Sequence, residues 1–312
     1  MDLFENIIKG DHIALSKTIT LLESTLDKDQ ILAQKILSKC SDNKKSIRIG
    51  ITGVPGVGKS TFINSLGKNL INQGKKVAVL AIDPSSEKSK GSILGDKSRM
   101  HELASENNAF IRPSPSSGTL GGITNKTKDA ILLCENAGFD IILVETVGVG
   151  QNETTVGKVV DITLLLVLTG AGDELQTIKR GIIEVADIII VNKSDGDNIQ
   201  KSKNTKIQYE ATLHLINNKD KHINVYTCSS IKNTGINEIW SAIKDYFHKS
   251  IPTEKFLKNR TIQNIFWIDY TLKHELGNKK YNNLKNSGKL KVIQKKIINK
   301  EVALIDILEE LY

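Results

Sequence analysis

Eight consecutive residues, Gly53-Val54-Pro55-Gly56-Val57-Gly58-Lys59-Ser60, have the types and order needed to hold a polyphosphate. A glycine-rich turn lets successive backbone N–H groups converge on phosphate oxygens, and a helix beginning at its end adds the positive pole of its dipole. Lys59 then supplies the cation for the β- and γ-phosphates, Ser60 a hydroxyl for Mg²⁺, and Thr61 the next backbone N–H. A Gly-x4-Gly-Lys-Ser/Thr string arises by chance in roughly one chain in a hundred of this length, before any structural context is required. The run before it, Ile47 to Thr52, has strand chemistry, and the run after it, Thr61 to Gln73, has apolar residues at helical spacing and stops at Gly74.

Downstream residues complete the chemistry of a nucleotide site. The apolar run Val77 to Ile82 ends in Asp83, a carboxylate on the rim where a second Mg²⁺ contact is needed. Ile141-Ile142-Leu143-Val144 ends in Glu145, the arrangement that holds Mg²⁺ or its water, and Glu145-Thr146-Val147-Gly148 places a glycine N–H where a γ-phosphate could reach it. Asn192-Lys193-Ser194-Asp195 follows another apolar run, Ile188 to Val191. The Asp195 carboxylate can accept from both the ring N–H and the exocyclic amino group of guanine, whereas adenine offers neither on that edge and would leave the carboxylate desolvated and unpaired. Ser229 and Ser230, in Thr227-Cys228-Ser229-Ser230, fall where a backbone loop would meet the guanine carbonyl.

These residues need a scaffold that brings several strand ends to one edge. Short apolar runs alternating with amphipathic segments predict an α/β fold of three layers with a mainly parallel sheet over residues 46–250. Residues 1–45 predict packing helices, one capped by Asp11 with Ile13, Leu15, Ile19 and Leu22 inward, and one capped by Asp27 with Ile31, Leu32, Ile36 and Leu37 inward. Residues 251–312 predict a helical extension, Phe256 to Leu276 and Val292 to Leu311, with the basic stretch Asn278 to Lys291 as a solvated loop. The segment Glu87 to Ser98 is polar and punctuated by Gly91 and Gly95, as a switch loop would be.

Composition narrows the class. The 312 residues are 39% hydrophobic and 25% charged, and no apolar run reaches the roughly 18 residues that cross a bilayer. The net charge is +8, but the lysines are scattered and lack an aromatic-flanked cluster, which points away from nucleic acid. The N-terminus lacks a basic start and apolar core, and Cys40, Cys134 and Cys228 lie far apart, so a reducing cytoplasm is expected. The six histidines are dispersed, unlike a nickel-loading site.

With Gly53 to Thr61, Ala81 to Ser86, Gly91 to Met100, Glu145 to Gln151, Gly172 to Gln176 and Asn192 to Asp197 together, residues 46–250 resemble the ArgK/MeaB family of P-loop GTPases, of the SIMIBI type. The resemblance implies GTP/GDP and Mg²⁺ as ligands. It also implies a chaperone role toward an adenosylcobalamin-dependent acyl-CoA mutase, such as methylmalonyl-CoA mutase, in which the GTPase gates cofactor loading and protects the mutase. By matching position, Ser60, Asp83, Asp96 and Glu145 would serve the metal and the switches, and Lys59, Glu145 and Lys179 catalysis. Lys179 would act from a third switch, residues 172–179, when the partner docks. Homodimerisation through the C-terminal helices is implied as well. An older label in the same family suggests the alternative, a kinase or ATPase attached to transport of lysine, arginine and ornithine.

Overall fold

The computed structural model describes residues 2–41, 46–83, 100–115, 125–146, 155–169, 180–216, 223–250, 254–299, 301–302 and 304–311. The chain divides into two compact units, Met1–Tyr246 and Phe247–Tyr312.

The first unit is built on a seven-stranded sheet in the order β3-β2-β4-β1-β5-β6-β7. The strands are β1 (Ile47–Gly53), β2 (Val77–Asp83), β3 (Ala109–Pro115), β4 (Ile141–Glu145), β5 (Ile162–Val167), β6 (Ile188–Val191) and β7 (Asn224–Thr227). Every pairing is parallel. All residues of β4, β5 and β6 are buried, so side chains on both faces are covered, as a sheet sandwiched between helical layers requires. The connecting helices are α4 (Lys59–Asn72), α5 (His101–Ala104), α6 (Asn125–Asn136), α7 (Arg180–Val185), α8 (Asn198–Ile216) and α9 (Ile236–Ser250). Each expected strand is present, and the sheet is wholly parallel.

Strand order decides where a ligand fits. From β1 the chain goes to β2 and β3 on one side, returns to β4, and then crosses to β5 on the other side, so β1 is the switch point of the sheet. The register aligns the exits there, with Ile51 opposite Glu145, Gly53 opposite Leu166, and Val191 opposite both Val167 and Thr227. The loops after β1, β4, β6 and β7 therefore share one rim.

Ahead of the sheet lie α1 (Leu3–Ile8), α2 (His12–Glu23) and α3 (Asp27–Leu37). Asp11 caps α2 as expected, its carboxylate accepting from Ile13 N at 2.8 Å and Ala14 N at 3.2 Å. Leu15, Ile19 and Leu22 are buried, but Ile13 is 67% exposed. Asp27 does not cap α3. The cap position is Leu26, whose N–H donates to Ser24 Oγ while that hydroxyl donates to Asp29. In α3 Ala33 and Ile36 are buried, whereas Ile31 and Leu32 face outward. Helix α2 is fastened to β3 by Arg112, which pairs with Glu23 and donates toward Ser16 and Thr20. The His12 ring packs between Phe110 and Phe139 at centroid distances of 5.7 and 5.6 Å.

The second unit contains α10 (Lys255–Asn286), α11 (Lys289–Ile298) and α12 (Leu304–Leu311), and its core gathers Ile268, Leu272, Leu284, Leu290, Ile293 and Ile307. The basic stretch expected as a loop is mostly helical. Gly277 (φ 74°, ψ 163°) kinks α10, helix resumes through Asn286, and Gly288 (φ 74°) turns the chain into α11, so Leu284 and Leu290 can enter the core while the lysines stay outside. Ile262, expected inward, is 61% exposed. Among the described residues no helix is long and apolar enough to cross a membrane.

Under the sheet Arg48 makes a two-pronged ion pair with the wholly buried Glu135, both contacts at 2.8 Å, while its backbone N–H donates to Asp161. Removing one member of such a pair strands the other charge in a low dielectric. Arg48→Met should destabilise the fold by about 3–5 kcal/mol in urea unfolding, and Arg48→Met/Glu135→Leu by clearly less than either single change predicts.

Candidate nucleotide site

The phosphate loop owes its shape to its glycines. A Cβ on Gly53 (φ +144°) would lie 2.4 Å from the Leu166 carbonyl oxygen, so the chain can leave β1 this close to β5 only without a side chain. Gly56 and Gly58 also hold positive φ, and a Cβ on Gly58 would meet the Asn192 amide nitrogen at 2.7 Å. Helix α4 begins at Lys59 immediately afterward, which aims its first-turn N–H groups at the loop. Lys59 is nearly buried, and its Nζ donates to the Gly53 carbonyl at 2.9 Å and the Val54 carbonyl at 3.4 Å. Its ammonium thus lies across the mouth of the loop.

Ser60 Oγ donates to Glu145 Oε1 at 3.1 Å, and both residues are largely buried. A hydroxyl and a carboxylate oxygen side by side beneath a phosphate cradle are the hard oxygen donors Mg²⁺ selects, so these residues fit that ion. Asp83 ends β2, within the same group of strands. Asp96, Gly148 and Lys179 lie outside the described residues. Two hydroxyls that the sequence patterns did not single out join the loops: Thr146 Oγ1 donates to Thr52 Oγ1 at 3.0 Å, and Thr146 N donates to the Ile51 carbonyl at 3.0 Å. The available signal was their placement, one before the glycine turn and one after the acidic strand end.

At the other end of the rim the centre is Asn192, 1% exposed. Its Nδ2 donates to the Val57 carbonyl at 2.9 Å, and its Oδ1 accepts from Ser230 Oγ at 2.8 Å, from Ser230 N at 3.3 Å and from Cys228 Sγ at 3.4 Å. One amide therefore ties the phosphate loop to both loops expected to hold the base. Lys193 (φ 59°) turns the backbone in the left-handed region, and its Cε lies 4.0 Å from where a Cβ on Gly58 would stand. Asp195 Oδ2 accepts from Ser229 Oγ, which in turn accepts from Lys232 N at 3.1 Å. The Ser229–Thr234 backbone bridge closes this turn, and Ser194 N donates to the Cys228 carbonyl at 2.9 Å. Burial pushes the Cys228 thiol up to about 12, so it stays a neutral donor. The arrangement can seat a polyphosphate on Gly53 to Thr61 and a purine beside Asp195.

Comparison with known proteins agrees with this geometry. The family described as "Methylmalonyl Co-A mutase-associated GTPase MeaB" matches residues 15–285. GTPase ArgK of Escherichia coli is 43% identical over 276 residues, covering 86% of this chain and 82% of the relative. The mitochondrial methylmalonic aciduria type A homolog of Mus musculus is 43% identical over 279 residues, covering 85% of this chain and 67% of the relative. Among solved structures, a LAO/AO transport system kinase superposes with a TM-score of 0.76 at 33% identity, covering 99% of this chain and 95% of that one. HypB from Helicobacter pylori, solved with nickel, shares the fold with a TM-score of 0.52 at 14% identity.

Two substitutions probe the phosphate end. Lys59→Ala removes the cation from a cradle otherwise built of neutral N–H groups and should abolish most binding of fluorescent GDP. Gly58→Ala strains the backbone and displaces Asn192, so GDP affinity should fall by about tenfold or more, read by equilibrium titration.

Proposed function

The chain belongs to the MeaB family of GTPases, and on that premise we propose that it hydrolyses GTP with Mg²⁺ as the chaperone of an adenosylcobalamin-dependent acyl-CoA mutase. In this reading the cycle gates cofactor loading and protects the mutase, residues 46–250 carry the nucleotide chemistry, and residues 251–312 pair two copies into a homodimer. The site of action is the cytoplasm. The observation that carries the guanine assignment is the Asn192 amide joining Val57 to Ser230, which holds Asp195 and Ser229 on the same rim as Lys59. The matching family is described as mutase-associated and the mouse relative as a methylmalonic aciduria type A homolog, which supports the mutase as client.

Each residue then has a physical task. Backbone N–H groups of Gly53 to Thr61 neutralise phosphate charge, and Lys59 exchanges carbonyl partners for phosphate oxygens. Ser60 and Glu145, with Asp83 and Asp96, would hold Mg²⁺ or its waters. When bound there, the ion would supply positive charge against the phosphate oxygens. Gly148 would offer an N–H to the γ-phosphate. Asn192 and Lys193 brace the base pocket, Asp195 selects guanine, and Ser229 and Ser230 border its carbonyl edge.

The transport-kinase reading has one observation in its favour: the 33%-identical solved structure is that of a LAO/AO transport system kinase. It requires a phosphoryl acceptor and tolerates ATP, whereas adenine brings the Asp195 carboxylate neither of the two donors that guanine supplies, leaving it the Ser229 hydroxyl. Competition titration of GTP against ATP separates the two.

Purified protein should hydrolyse GTP slowly, and a cobalamin mutase from the same cell should accelerate it. An unchanged rate with every such mutase would overturn the chaperone role. Asp195→Asn should exchange guanine for xanthine preference, because an amide donates to the carbonyl that replaces the exocyclic amino group, and paired GTP and XTP titrations read this directly. Lys179→Ala should leave GDP affinity and the basal rate nearly unchanged while removing most of the stimulation, since a cation entering with the partner acts only on charge developing in the transition state. Steady-state hydrolysis with and without mutase decides it.

A further inference from the structure

Helix α4 carries a polar stripe that the phosphate chemistry does not use. Ser65, Asn69 and Gln73 follow one another at intervals of four residues, so they share one face of the helix. Each meets the segment that follows β7. Ser65 Oγ donates to the Ser230 carbonyl at 2.5 Å. Asn69 and Asn233 bond reciprocally, Asn69 Nδ2 to Asn233 Oδ1 at 3.0 Å and Asn233 Nδ2 to Asn69 Oδ1 at 3.1 Å, and Asn69 Nδ2 also reaches Asn237 Oδ1 at 3.3 Å. One turn on, Trp240 Nε1 donates to Gln73 Oε1 at 3.2 Å. Three successive turns from the helix that starts at the phosphate loop are thus fastened to the loop after β7 and to α9.

The Asn69–Asn233 pair sits where fastening matters most. Asn233 holds a left-handed backbone (φ 54°) within the Ser229–Thr234 bridge, and Ser229 is the residue whose hydroxyl engages Asp195. The neighbouring Gly235 (φ +78°) lies so close to the strand end that a Cβ would be 2.4 Å from the Thr227 carbonyl oxygen. The turn is therefore shaped by its own glycine but oriented from outside by the α4 amide. A solvated helix face would not place three consecutive polar side chains each within hydrogen-bond reach of the same segment.

We infer that the Ser65–Asn69–Gln73 stripe positions the base-binding turn relative to the phosphate loop, so that guanine recognition and phosphate binding reinforce each other, with Asn69 and Asn233 as its central positioning pair. This rests on the guanine assignment of Asp195. A ligand spanning both ends gains from having the second site already in place, whereas a ligand touching only the phosphate loop gains nothing.

The test compares GDP, IDP and inorganic pyrophosphate on full-length protein. IDP lacks the exocyclic amino group that Asp195 would accept from, and pyrophosphate occupies only the loop. In Asn69→Leu the GDP dissociation rate should rise about tenfold and the GDP-over-IDP preference should shrink several-fold, while pyrophosphate affinity stays within about twofold of wild type. Asn233→Gly, which removes the amide from the other side of the pair while keeping the left-handed backbone (φ 54°) accessible, should shift both readouts in the same direction. The double variant should be no worse than Asn69→Leu alone, because losing Asn69 already breaks both the reciprocal bond and the contact with Asn237. Lys68→Met, one residue away and paired with Glu102 instead, should match wild type. Folded Asn69→Leu and Asn233→Gly proteins, checked by thermal unfolding without nucleotide, with unchanged GDP-over-IDP preference would overturn the inference. A wild-type protein that does not prefer GDP over IDP would instead refute the assignment of Asp195 on which it stands.

Discussion

The nucleotide site depends on one buried amide. Asn192 follows β6 directly, and its backbone N–H continues the ladder to the Val167 carbonyl at 2.9 Å, which leaves its side chain at the rim with almost no solvent. Its donor takes the Val57 carbonyl and its acceptor takes the Ser230 hydroxyl and N–H. A buried amide with these partners satisfied adds rigidity and specificity, whereas the same group half satisfied would cost a few kcal/mol. The loops after β1, β6 and β7 therefore assemble together. The constraint runs back into the phosphate loop, since Gly58 must lack a Cβ to let the amide in, and forward into the base turn, since Ser230 must present both its donors.

How much of this could be read from residues alone follows from the range of the interactions. Strands and the phosphate loop are local patterns: consecutive apolar residues, glycines at fixed offsets, a lysine and a hydroxyl at a helix start. Their identity was legible. Glu145 was legible as a strand-end carboxylate, and the structure brings Ser60 to it across 85 positions. The Ser65, Asn69 and Gln73 stripe was not, because polar residues on the outer face of an amphipathic helix look the same whether they meet water or a neighbouring turn. Ile13, Ile31 and Ile262 failed for the converse reason, since an apolar residue at helical spacing does not report whether anything lies against it. Asn278 to Lys291 looked like a loop because its lysines and asparagines hide the single apolar residues, Leu284 and Leu290, that anchor it.

The remaining polar contacts divide by whether they join neighbours in the sheet or layers across it. Thr52 with Thr146, and Ser60 with Glu145, link the loop after β1 to the exit of the adjacent β4. Arg48 with Glu135, and Arg112 with Glu23, link strands to helices away from the rim. The first pair of contacts consists of neutral hydroxyls and one carboxylate, groups that can change partner when a cation or phosphate arrives. The second consists of guanidinium–carboxylate pairs, forked in Arg48–Glu135 and largely buried in both, which makes rearrangement expensive.

That division gives the fold a fixed base and an adjustable rim. Hydrophobic burial on both sheet faces sets the strand ends in register, and the two guanidinium pairs hold helices α2 and α6 against the sheet. At the rim, Lys59 rests on backbone carbonyls and Ser60 on a carboxylate, weaker partners than the phosphate and divalent cation proposed to replace them. Among the described residues, a ligand at this rim meets hydroxyl and ammonium contacts that it can exchange. Asn192 lies between the two regimes: neutral like the rim, but buried like the base. Exchange of partners at Lys59, Ser60 and Glu145 can thus proceed while the spacing from the phosphate loop to the loop after β7 stays set by the buried Asn192 amide.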